Sequence, residues 1–147
     1  MNYDYFAARS DSAAAAMLDR PGGPELSPAE REAAGLLTPV LAGVQFSQEL
    51  GRFVALLGKD VDLEDGEHII AAVDDDSGLV FRLPADVTRE IAHADAARLH
   101  ALVPAWAEFE DFGDPDEDRL RAFADDLQRM SRRALDAGGQ VYSHGWA

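Results

Sequence analysis

The stretch from Asp114 to Gly139 limits the fold more than any other part of this chain. Leu120, Phe123, Leu127, Met130 and Ala134 recur at spacings of three and four, which marks one stripe of a long α-helix. Asp114 reads as its N-cap, Pro115 as its first residue and Glu117 as the capping-box partner. Arg129, Arg132 and Arg133 suit the negative end of the helix dipole, and Gly138-Gly139 stops the helix. A one-sided stripe of that length must lie on an apolar surface, so the rest of the chain has to build one.

Strand-like segments supply that surface. Asn2–Ala7 alternates polar and aromatic residues, as a half-buried strand does. His68–Val73 and Gly78–Leu83 flank Asp74-Asp75-Asp76-Ser77 and read as a β-hairpin. Gln140–Ser143 reads as a closing strand. Helices fill the intervals. Ser10 or Asp11 caps one running through Met17 and Leu18, which Pro21-Gly22-Gly23-Pro24 ends. Ser27, Pro28 and Glu30 start a second, short one, which stops near Gly35. Leu50, Phe53, Val54 and Leu57 mark a third, closed by Gly58. Pro84 opens a fourth bearing Val87 and Ile91, and Asp95 caps a fifth bearing Leu99, Leu102 and Val103. The expected fold is α+β and mostly helical, with a central hairpin and short N- and C-terminal strands in a small sheet. It forms a single domain over residues 1–147, a length within the usual range of ~100–200 for one domain.

Charge narrows the function. The chain holds 28 acidic residues against 13 Lys plus Arg, a net −15. Nucleic-acid binding needs a basic face, and an anionic lipid surface would repel this protein, so neither partner is expected. Cysteine is absent, which removes disulfides, thiolate catalysis and Cys-ligated metals. No apolar run reaches a spanning length, and Met1-Asn2-Tyr3-Asp4 does not open like a signal peptide. Arginine outnumbers lysine twelve to one, and alanine occurs 26 times. That bias reads as GC-rich coding, and the expected setting is a bacterial cytoplasm.

The acidic residues are unevenly spread. Between Glu108 and Asp118, seven of eleven residues are acidic and none is basic. Phe109 and Phe112 interrupt the run, and Trp106 lies just before it. This pattern reads as a partner-docking loop. Trp106, Phe109 and Phe112 would be apolar anchors, with Glu108, Glu110, Asp111, Asp114, Asp116, Glu117 and Asp118 as steering charges. A solvated loop leading into a helix N-terminus explains the same residues without a partner. A second segment, Asp60 to Asp76, holds eight acidic residues and no Lys or Arg. Neither segment is an EF-hand: Arg119 stands where the first needs its turn glycine, and Ala71 where the second needs its last ligand. No metal or cofactor is expected. His68, His93, His100 and His144 show no metal-ligand spacing, and no nucleophile elbow or phosphate loop is present.

The segments Asn2–Leu18, Gly78–Leu102 and Leu120–Trp146 resemble small acidic bacterial α+β proteins of unknown function, which open with a strand and helix and close with a long helix, glycine and strand. In type, the chain is similar to the immunity proteins encoded beside bacterial toxins. Together these readings imply a non-enzymatic binding protein that occludes the active surface of a basic toxin or nuclease. The alternative is a small carboxylate-dependent hydrolase, which would need converging carboxylates, or a His with a carboxylate, in a concave pocket.

Overall fold

A computed structural model describes residues 2–20, 23–73, 77–109, 112 and 115–146. Its centre is an antiparallel sheet of five strands in the order β2-β1-β5-β4-β3. The strands are β1 (Asn2–Ala8), β2 (Leu41–Ala42), β3 (Ile69–Ala72), β4 (Gly78–Arg82) and β5 (Gln140–Trp146). β1 and β5 pair along their full lengths, from Asn2 opposite Trp146 to Ala8 opposite Gln140. The hairpin β3–β4 joins the far side of β5. Its expected tip, Asp74–Asp76, lies outside the described residues.

Alternation gives each strand two faces, and both are covered. Tyr5, Ala7, Phe81 and Val141 face the larger core. The helices α3 (Glu49–Leu56), α4 (Ala85–His93), α5 (Ala96–Ala107) and α6 (Glu117–Asp136) contribute most of the rest, with Phe46, Leu57, Leu63, Leu83 and Ala94 from the segments between elements. All five residues of the α6 stripe are buried. Phe6, Ala8, Val80 and Tyr142 face the opposite way, onto Ala14, Met17 and Leu36. This thinner layer holds α1 (Asp11–Ala15), its 3₁₀ continuation Ala16–Asp19, and α2 (Pro28–Ala34).

Local chemistry accounts for most boundaries. The Ser10 hydroxyl accepts the Ala13 N–H, and the Ser27–Glu30 capping box is formed. Gly35 ends α2 at φ +79°, a conformation that costs other residues more. Two details differ from the sequence expectation. Helix α6 begins two residues later than the Asp114 cap implies. Asp116 is its N-cap and accepts the Asp118 N–H at 2.9 Å, and Pro115 precedes the helix. Aspartates at alternate positions offer equivalent caps, so spacing alone does not choose between them. Asp114 lies outside the described residues. The second difference is β2, an additional edge strand. The Gly43 N–H beyond it donates to the Tyr3 carbonyl at 3.1 Å. A Cβ at Gly43 would sit only 2.8 Å from Cδ2 of Phe123, so glycine lets this backbone lie on the ring.

Candidate functional site

The acidic segments sit at opposite ends of the sheet. Phe112, Pro115 and Asp116 share a hollow of about 430 Å³ with Ala42 and Gly43, at the β2 edge. A neighbouring hollow of about 440 Å³ also takes in Ala42 and Gly43, and reaches Asp4 and Trp146. The turn Asp60–Glu67 leads directly into β3, the other edge. Four strand spacings separate those edges, roughly 19 Å. Their described residues therefore do not merge into one negative face.

Within 106–118, much of the chemistry is turned inward. Trp106 is the clearest correction to the sequence reading. It is fully buried (0% exposed), and its indole N–H donates to the Glu49 carbonyl at 2.7 Å. Leu99, Val103 and Trp106 fall on one face of α5 and are its buried residues. Trp106 therefore continues the core stripe and does not project toward a partner. Phe112 packs against that ring at 5.7 Å between centroids, and Phe109 meets Phe112 edge-on at 6.0 Å. Both phenylalanines are half-buried. Asp116 caps α6, while Glu117 and Asp118 both pair with Arg121. Glu108 is exposed, and Glu110, Asp111 and Asp114 lie outside the described residues.

The turn before β3 is built differently. Asp60, Asp62, Glu64, Asp65 and Glu67 are all exposed. Asp62 accepts the Glu64 N–H at 2.9 Å and Asp65 accepts the Glu67 N–H at 3.1 Å, so these side chains shape the turn. The nearby cations are engaged elsewhere, since Lys59 and Arg98 both pair with Glu90. Among the described residues, none of these five carboxylates meets a Lys or Arg within ion-pair distance. Only the His68 ring approaches one, 3.9 Å from Glu67. The adjoining Ile69 is 38% exposed, high for a large apolar side chain on a strand.

Two polar groupings on the thinner side escaped the sequence. Asp11 accepts hydrogen bonds at 2.6 Å from both Arg82 and the Tyr142 hydroxyl. Burial, and then the bond to Asp11, push the Tyr142 phenol well above its ordinary pKa. His144 lies buried opposite Asp4, beside Gly23, and its Nδ1 has no hydrogen-bond partner among the described residues. Burial lowers its pKa, and Asp4 opposes that in part. Asp11 and Tyr142 are 131 positions apart, so no local pattern could have joined them. A His–carboxylate pair does occur, between His100 and Asp125 at 2.7 Å. It bridges the outer surfaces of α5 and α6 and lines none of the hollows described here. Among the described residues, no group of three or more His, Asp or Glu is arranged to hold a metal ion. Among the described residues, no helix is long and apolar enough to cross a membrane.

Comparisons with protein families, characterised proteins and solved structures return no match for this chain.

Proposed function

We propose that this chain is a non-enzymatic acidic binding protein of the immunity type, which neutralises a basic protein partner by covering its active surface. The observation that carries the reading is the set of exposed carboxylates from Asp60 to Glu67, none of which lies within ion-pair distance of a Lys or Arg among the described residues. Folding leaves that negative charge facing solvent beside a sheet edge, where a cationic protein gains from meeting it. Glu108, Glu117 and Asp118 at the other edge add to the long-range field that draws such a partner in.

Affinity capture from the native host tests this, using the wild-type chain beside a variant with Asp60, Asp62, Glu64, Asp65 and Glu67 changed to their amides. The expected result is a cationic protein retained by the wild type, lost from the variant, and inhibited when bound. Retention of the same protein by both would remove the electrostatic basis of the proposal.

A further inference from the structure

β3 is an edge strand: β4 pairs with one side of it, and among the described residues no strand covers the other. The Val73 N–H donates inward to the Gly78 carbonyl at 3.0 Å. Backbone direction alternates along a strand, so the N–H and C=O of Ala72 point outward from the sheet. A bulge between Ile69 and Ala71 disturbs the first half of the strand, leaving Ala72 as its regular outward position.

Beside this edge, α1 packs against the strand and its 3₁₀ continuation runs past it. They leave a hollow of about 490 Å³ whose walls include Ser12, Ala16, Leu18, Ala71 and Val73, with Asp19 also on its lining. The small alanines keep it open, and its lining is about equally polar and apolar. It can therefore receive alternate side chains from a strand laid against β3. Unpaired backbone groups, a side-chain hollow and flanking specificity charges are the parts used when an extended segment adds to a sheet. Edge strands are commonly protected by shortness, a bulge or a charge; β3 is short and bulged but carries no charged residue.

Building on the acidic-binder reading, we infer that β3 docks an extended, Lys- or Arg-bearing segment of the partner as a sixth strand. Charge complementarity chooses that occupant. Asp19 lies on the hollow, and the unneutralised turn Asp60–Glu67 lies at the start of the strand, so cations at alternate positions of the incoming segment would have carboxylates to meet. An acidic segment, or a second copy of this acidic chain, would be repelled.

The probe is a short peptide alternating lysine and valine, with a glutamate-for-lysine version as its control. Its affinity is measured for the wild type and for Ala72→Pro, alongside residue-resolved amide hydrogen exchange. Proline at an outward-facing edge position removes no ladder hydrogen bond, so the fold should persist, and circular dichroism checks this. The lysine peptide should slow exchange at Ala72 by at least about tenfold. Ala72→Pro should weaken its binding at least about tenfold, and the glutamate peptide should not bind. Equal binding to wild type and Ala72→Pro, or unchanged exchange at Ala72, overturns docking at this edge while leaving the acidic-binder reading intact. No preference for lysine over glutamate overturns both. The exchange measurement is made on the wild type, so it decides the matter even if the proline variant unfolds.

Discussion

Trp106 separates a core role from a docking role by numbers that differ widely. Truncating a fully buried indole to alanine removes its transfer free energy and leaves a cavity, together about 3–5 kcal/mol. Here the Glu49 carbonyl also loses its 2.7 Å hydrogen bond, worth about 1 kcal/mol more. A domain of 147 residues has a total stability on the order of 10 kcal/mol. The two losses together come to about 4–6 kcal/mol, so Trp106→Ala should remove a large share of that stability, lowering Tm by roughly 8–24 °C at ~2–4 °C per kcal/mol. Trp106→Phe keeps most of the apolar contact and should cost about 1–2 kcal/mol. Urea titration followed by circular dichroism gives both values. Fluorescence adds an independent view. In a Trp146→Phe background the remaining tryptophan should emit at short wavelength and resist acrylamide, because Trp146 is 41% exposed and Trp106 is not exposed at all. A Trp106→Ala protein with wild-type stability and readily quenched emission in the single-tryptophan protein would refute the core assignment and restore Trp106 as a surface anchor.

Two glycines should respond to alanine with opposite signs. Gly43→Ala drives a methyl group into the Phe123 ring and should destabilise by about 1–3 kcal/mol. Gly51→Ala, inside α3 with nothing within 4 Å of the new Cβ, should stabilise by about 0.5–1 kcal/mol; paired thermal melts read both. His144 should make stability depend on pH. Its folded pKa lies below its unfolded one, so above about pH 6.5 both states are neutral and no penalty applies. As pH falls below that, the unfolded state takes up the proton first and stability declines until the folded pKa is passed, at about 1.4 kcal/mol per unit of depression. The unfolding free energy of the wild type should therefore fall relative to that of His144→Gln as pH drops through this range; a difference independent of pH would contradict the buried ring, whose Nδ1 has no partner among the described residues.

Where a signal was local and periodic, the sequence already displayed the fold. The α6 stripe, the Ser27–Glu30 box and the β3–β4 hairpin each occupy a short stretch in which spacing or capping chemistry determines the element. β2 is a different case. Two residues carry no period, and they pair only because Asp4 and Tyr5 present an open strand beside them. The site followed the same division. Acidic density was visible at 60–76 and 108–118, but density does not say which carboxylates find cations. Arg121 and the α6 N-terminus absorb those at 116–118, while Glu90 takes Lys59 and Arg98 away from the turn at 60–67. The burial of Trp106 was legible in the four- and three-residue steps from Leu99 through Val103, a periodicity overshadowed by the acidic run that follows. The hollow beside β3 combines α1 with a strand more than fifty positions away, a juxtaposition only the folded chain reveals.

On the proposed function, the unneutralised carboxylates at the β3 edge, and not the acidic loop at the β2 edge, guide a cationic partner. The most direct test of this measures association rates for the captured partner across a salt series with three proteins. These are the wild type, the amide variant of the five carboxylates from Asp60 to Glu67, and a variant carrying Glu108→Gln, Glu117→Gln and Asp118→Asn. Neutralising 60–67 should slow association at least about tenfold at low salt and flatten its salt dependence, while the changes at 108–118 should have a markedly smaller effect. An equal or larger effect from the 108–118 variant would contradict that reading.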